Sequence, residues 1–204
     1  YSAYPWDHLG HYVYQPGNPR TLVYAHDLGA GAEHTCAADR AGDLRCWGQG
    51  EFGQLGNRLY NYRSDQMLGD IEPIVLGDNT RALSSELRST YQTIAGDAGS
   101  TCYITQEHRV ACLGDNASGV VSSDQRLAQT NEDRVRSATR NHAPRLVPNW
   151  PESFDNDDAI ELSLHNGSGC ALHRSGSIVC WGSNASGAMG RAHNLKVYAP
   201  QPQP

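Results

Sequence analysis

Six cysteines and nine histidines are the residues of this 204-residue chain best suited to covalent or metal chemistry. The cysteines form three pairs of equal internal spacing, Cys36/Cys46, Cys102/Cys112 and Cys170/Cys180. In the first pair, Thr35-Cys36-Ala37-Ala38 and Asp43-Leu44-Arg45-Cys46 flank Asp39-Arg40-Ala41-Gly42, a polar turn that ends in glycine. Such a pattern predicts a β-hairpin. Folding about the turn sets the two cysteines on adjacent strands with Cβ atoms about 4.5–5.5 Å apart, close to what a disulfide needs. Two other readings stand beside it. Unoxidised cysteines are common in cores. A metal site is the weakest reading, because metal ligands favour short Cys-x-x-Cys-type spacings and one hairpin does not converge four of them. The threefold recurrence favours local disulfides over the other connectivities, each contributing roughly 2.5–3 kcal/mol by closing a short loop. Disulfides imply an oxidising compartment, and hence a secreted or cell-surface protein.

The histidines (His8, His11, His26, His34, His108, His142, His165, His173 and His193) are scattered, with no metal-type pair on an expected helix. No nucleophile elbow, phosphate loop or dinucleotide fingerprint occurs. Gly29-Ala30-Gly31-Ala32-Glu33 is glycine-rich but leads into a strand instead of a helix, so it fails the context such a loop requires. Asp155-Asn156-Asp157-Asp158 has the charge to draw calcium, yet no Gly or distal Glu completes a known loop, and a solvated acidic turn is favoured. The sequence therefore assigns no catalytic residue, no metal ligand and no cofactor. The expectation is a protein without enzymatic activity.

The cysteine pairs lie in strings that recur after 66 and then 68 residues, which marks a repeat protein. The hydrophobic fraction is 38%, Phe and Met number two each, and 21 Gly with 10 Pro supply turns. Short strands with many turns suit this composition better than a helical bundle. The formal charge of −6 argues against a nucleic-acid partner, and no apolar run approaches a membrane span. The chain opens at Tyr1 without a basic region or an apolar signal core, as expected of a processed form or a part of something longer.

His34-Thr35-Cys36-Ala37, Cys46-Trp47-Gly48 and Gly53-Gln54-Leu55-Gly56 together resemble the regulator of chromosome condensation repeat. Cys170-Ala171-Leu172 with Cys180-Trp181-Gly182-Ser183-Asn184 repeats the pattern, and Cys102 with Cys112-Leu113-Gly114-Asp115-Asn116 is a worn copy. Pro73-Ile74-Val75 and, more loosely, Pro144-Arg145-Leu146-Val147 look like the family's unit-opening element. The resemblance implies an all-β fold of three β-propeller-type blades of about four strands. It places blade 1 at 27–90, blade 2 at 91–158 and blade 3 at 159–196, between a 1–26 aromatic arm and a 197–204 Pro-rich tail. Trp47 and Trp181 would be wedges between blades, with Leu113 in that place leaving its interface less filled. Gly50, Asn116 and Asn184 are equivalent, and Gly and Asn tolerate positive φ, so a left-handed turn is expected there. Family propellers usually close with seven blades, so three make an incomplete propeller, completed by a longer chain or by oligomerisation.

The arm carries Tyr4, Trp6, Tyr12 and Tyr14, too apolar for a free tail and too Pro-broken for a helix. It is read as a strand of the chain's own first blade or as a latch on a neighbour's sheet edge. The Pro-rich tail is expected to stay solvated, to dock on an aromatic groove, or to be a simple linker. Residues 57–72 and 120–143 read as long polar loops, with short helices expected at Ser84–Arg88 and Ser123–Arg136. Three sequons, at Asn116, Asn166 and Asn184, make glycans possible. The leading functional expectation is an extracellular assembly or adhesion module whose partner is a copy of itself or another extracellular protein. The alternative is a secreted binding or inhibitory propeller that grips its target with blade loops. The family's namesake activity, nuclear guanine-nucleotide exchange, fits paired cysteines poorly.

Overall fold

The structure, a computed structural model, describes residues 25–50, 52–56, 71, 73–74, 82–83, 91–121, 140–147, 150–154, 156–190 and 200–202. Each cysteine pair sits at the centre of one antiparallel sheet. The first comprises β1 (Ala25–Ala30), β2 (His34–Asp39) and β3 (Leu44–Gly48). The second runs β4 (Ile94–Gly96), β5 (Ser100–Ile104), β6 (Val110–Asp115) and β7 (Arg140–Leu146). The third runs β8 (Ala159–His165), β9 (Ser168–His173), β10 (Ile178–Gly182) and β11 (Gln201–Pro202). Neighbouring strands follow each other in sequence, so each sheet is a meander.

The central hairpin turns follow their residues. In the first, the Asp39 carboxylate accepts the N–H groups of Ala41 and Asp43 and pairs with Arg45 at 2.8 Å. Partial burial opposes its charge, but these hydrogen bonds prevail and hold its carboxyl below the usual range. In the third, Asp157 takes the turn-capping role from outside the hairpin, accepting from Ser175 N–H and hydroxyl. Gly42 and Gly176 close these turns at φ 81° and 90°; His108 does so in the second at φ 55°.

The element after each hairpin adds a fourth edge. Ile74 N–H donates to Leu44 O at 2.8 Å, beside β3. Within β7, Leu146 pairs with Ala111 and Arg145 with Cys112. Gln201 and Pro202, expected as a solvated or docked tail, instead pair with Cys180 and Val179. An edge strand admits proline at positions whose nitrogen faces away from the neighbouring strand. The Pro-containing elements thus finish the preceding sheet.

The predicted left-handed position is corrected. Positive φ falls at Gly48, Gly114 and Gly182, two residues before Gly50, Asn116 and Asn184. There the backbone lies so close to the preceding hairpin loop that a Cβ on Gly114 would meet Gly99 O at 2.2 Å. Asn116 and Asn184 serve through their side chains: each is fully buried, and its Oδ1 accepts the N–H five residues on, from Val121 and Met189.

Candidate protein-interaction surface

The sheets stack, and the pleat decides what each face touches. On the second sheet, Ile94, Tyr103, Ala111 and Leu113 point back to the first sheet, packing with Cys36, Ala38, Leu44, Cys46, Leu55 and Ile74. One residue out of step, Ala95, Cys102, Ile104, Val110 and Cys112 point forward to Leu162, Ala171 and Trp181 of the third. Every sheet therefore has a backward face and a forward face, and the disulfides Cys36–Cys46, Cys102–Cys112 and Cys170–Cys180 all belong to the forward one. Each joins residues directly opposite in register, with Cα atoms 4.1 Å apart. The innermost strands β1 and β4 approach so closely that a Cβ on Gly29 would lie 2.4 Å from Ile94 O.

The seam between sheets one and two is partly polar. His34 Nε2 and Thr101 Oγ1 lie 2.7 Å apart, and Thr93 donates its N–H and hydroxyl to Asp27. Gln54, wholly buried, offers its backbone carbonyl to the Thr101 hydroxyl at 3.4 Å and its side-chain oxygen to Phe52 N–H. Burial holds the His34 imidazole well below its ordinary value, at about 4, with the Asp97 charge pulling the other way. The next seam is dominated by Trp181, fully buried, whose Nε1–H donates to Val120 O at 2.8 Å and whose ring meets Trp150 edge-on at 5.6 Å. Asp97 bridges this seam by accepting from Asn166 and Gly167 N–H.

Of the expected wedge residues, Trp181 and Leu113 lie in buried seams. Trp47, at the equivalent place on the backward face of the first sheet, is only partly buried. The neighbours of Leu113 are bulkier than those of Trp181. Opposite Trp181 stands Gly169 and beside it Ala171; opposite Leu113 stands Thr101 and beside it the fully buried Tyr103. Bulk removed at one position returns at its neighbours. The assembly-arm residues Tyr4, Trp6, Tyr12 and Tyr14, the expected short helices and most of both long loops lie outside the described residues. Among the described residues no group of three or more His, Cys, Asp or Glu could hold a metal ion. The acidic turn is engaged otherwise: Asp158 pairs with Arg174 at 3.1 Å and Asp157 caps the hairpin.

The two end faces of the stack differ from its interior. Ile94 and Leu162 hold equivalent backward-facing places, each opposite the residue after the first cysteine of its sheet, and both are buried. Leu28 holds that place on the first sheet and is 59% exposed. Leu44 and Val110 are the equivalent forward-facing residues of sheets one and two and are buried; on the third, Ile178 is 43% exposed. Sequence reasoning missed this pair, because hydrophobicity alone does not separate a covered copy of a repeat from an uncovered one.

Three stacked four-stranded-type meanders, with faces matched by one repeating register and no closure among the described residues, are blades of an open β-propeller. A profile described as the regulator of chromosome condensation (RCC1) repeat matches residues 25–54. The human RCC1 domain-containing protein 1 is 26% identical over 210 residues, covering 92% of this chain and 52% of that protein. Human WBSCR16 superposes with a TM-score of 0.58 at 17% identity over 87% of this chain and 37% of its own. Prp20p from Saccharomyces cerevisiae gives 0.56 at 16% identity over 86% and 37%. Residues 25–54 thus match the regulator of chromosome condensation repeat, the fold is similar to that of its propellers, and the chain spans about half the length of the curated relative it matches.

Proposed function

We propose that this chain is a non-enzymatic extracellular assembly module whose copies stack head to tail, the forward face of blade 3 receiving the backward face of blade 1 of the next copy. The observation that carries this reading is the exposure of Leu28 and Ile178, whose equivalents are buried wherever two blades meet. The receiving and inserting faces already fit twice within the chain, so one register serves a third seam. Such a contact is heterologous and gives a ring or a cable according to its rotation. Three disulfides support the extracellular placement.

Mass photometry and electron microscopy across a concentration series test it. Wild-type protein forms oligomers; Leu28→Arg and Ile178→Glu each give monomers, because a buried unpaired charge is costly. Mixing the two variants gives dimers and nothing larger, since each retains one intact face. A wild-type chain that stays monomeric at every concentration overturns the proposal. A monomer that captures one foreign protein through its loops would instead favour the inhibitory class.

A further inference from the structure

The three sequons are alike in sequence and unlike in the fold. Asn116 and Asn184 are fully buried, each with Oδ1 committed to a backbone N–H, of Val121 and Met189. A glycan on either amide nitrogen would have to leave through packed protein, and the turn it caps would open. Asn166 is exposed at the tip of the β8–β9 hairpin, at φ 49°, a left-handed value that asparagine accepts. The hairpin is held from below: Asp97 accepts the N–H groups of Asn166 and Gly167, and Gly167 rests so near Ser118 that a Cβ would fall 2.2 Å from its Oγ. The backbone is anchored and the side chain projects into solvent.

We infer that Asn166, and neither Asn116 nor Asn184, carries an N-glycan in the folded protein. In the transfer, the Asn166 amide nitrogen forms a bond to C1 of a lipid-diphosphate-linked oligosaccharide as the bond from C1 to the diphosphate oxygen breaks. The lipid diphosphate leaves, and the amide proton passes to a base of the transferase. Transfer occurs on the extended chain, before Ser168 becomes occupied with Ser183 O, and folding then selects which site can carry a glycan. This rests on entry into a eukaryotic secretory compartment, and its mass readout is indifferent to whether copies assemble.

The test is secretion of the chain from cultured animal cells, isolation of the fraction without free thiols, and intact mass before and after peptide-N-glycosidase. One glycan is expected. It is lost in Asn166→Asp and also in Ser168→Ala, which guards against misfolding of the first variant. It persists in Ser118→Ala and Ser186→Ala, which remove the other two sequons while sparing the buried asparagines. A disulfide-complete fraction with no glycan, or with a glycan mapped to Asn116 or Asn184, overturns the inference.

Discussion

The two internal seams are built by one repeat and filled by different chemistry. Between blades 1 and 2, Leu113 and Tyr103 are packed beside a buried His34–Thr101 hydrogen bond and the buried Gln54. Between blades 2 and 3, one indole does most of the filling, backed by Trp150 and by small residues at 169 and 171. The register is common to both; the residues that satisfy it differ as sets. Repeats are therefore better compared by sets of neighbouring positions than one position at a time.

The largest way to break the comparison is to empty each seam. Trp181→Ala removes a fully buried indole together with its hydrogen bond to Val120 O, and a loss of about 3–5 kcal/mol is expected. Leu113→Ala, also fully buried, should cost about 2–5 kcal/mol, at the lower end if Tyr103 relaxes into the gap. Urea unfolding monitored by circular dichroism reads both, and equal losses would show that the seams do not differ in how their volume is carried.

Acidity should weaken the first seam through His34. His34 has a folded pKa of about 4 against an ordinary 6.5. The unfolded chain thus binds its proton first as pH falls. The stabilisation is fully present above pH 6.5, declines between 6.5 and 4, and is absent below; the loss is about 3 kcal/mol at most. His34→Gln should flatten the stability profile across that window at some cost in stability at neutral pH. An unchanged slope in the variant would mean that His34 does not govern the acid response.

Oxidation offers a third contrast. Replacing Cys102 and Cys112 together by Ala opens a short loop, with an expected loss of about 2.5–3 kcal/mol in the chain-entropy model. Cys102 and Cys112 are fully buried in a seam, whereas Cys170 is partly exposed on an end face. Mild reductant followed by alkylation and peptide mapping should therefore label Cys170 and Cys180 before Cys102 and Cys112. The reverse order would refute the forward-face assignment.

Much of this was legible in the residues. Equal cysteine spacing around polar turns, two of them closed by glycine and the second by His108, pointed to three hairpins, because register in a hairpin is set by its turn. The same strings identified Trp181 as a seam residue. Two things were hidden. The edge strand at Gln201–Pro202 carries a Pro-Gln-Pro signal that reads as open chain, and only the free edge of β10 gives it a partner. The role of Asn116 and Asn184 was misread because tolerance of positive φ and side-chain capping favour the same residue type. Local preference could not say which property the turn uses; the burial of Oδ1 against an N–H five residues away does.

The finest test asks whether the seams exchange residues as sets. Thr101 pairs with Leu113 across β5 and β6, and Gly169 pairs with Trp181 across β9 and β10. A Cβ on Gly169 would sit 2.6 Å from the Trp181 ring, so tryptophan at this place requires a bare partner. Leu113→Trp alone should overpack the first seam and cost about 1–3 kcal/mol. Thr101→Gly alone removes the hydroxyl facing His34 Nε2 and costs about as much. Placed together, the two should cost less than their sum, by about 0.5–1.5 kcal/mol, because the glycine makes room for the indole. Recovery should remain incomplete while Tyr103 holds the space that Ala171 leaves free in the third blade. Strict additivity in the double-mutant cycle would mean that the two seams are independent solutions instead of interchangeable ones.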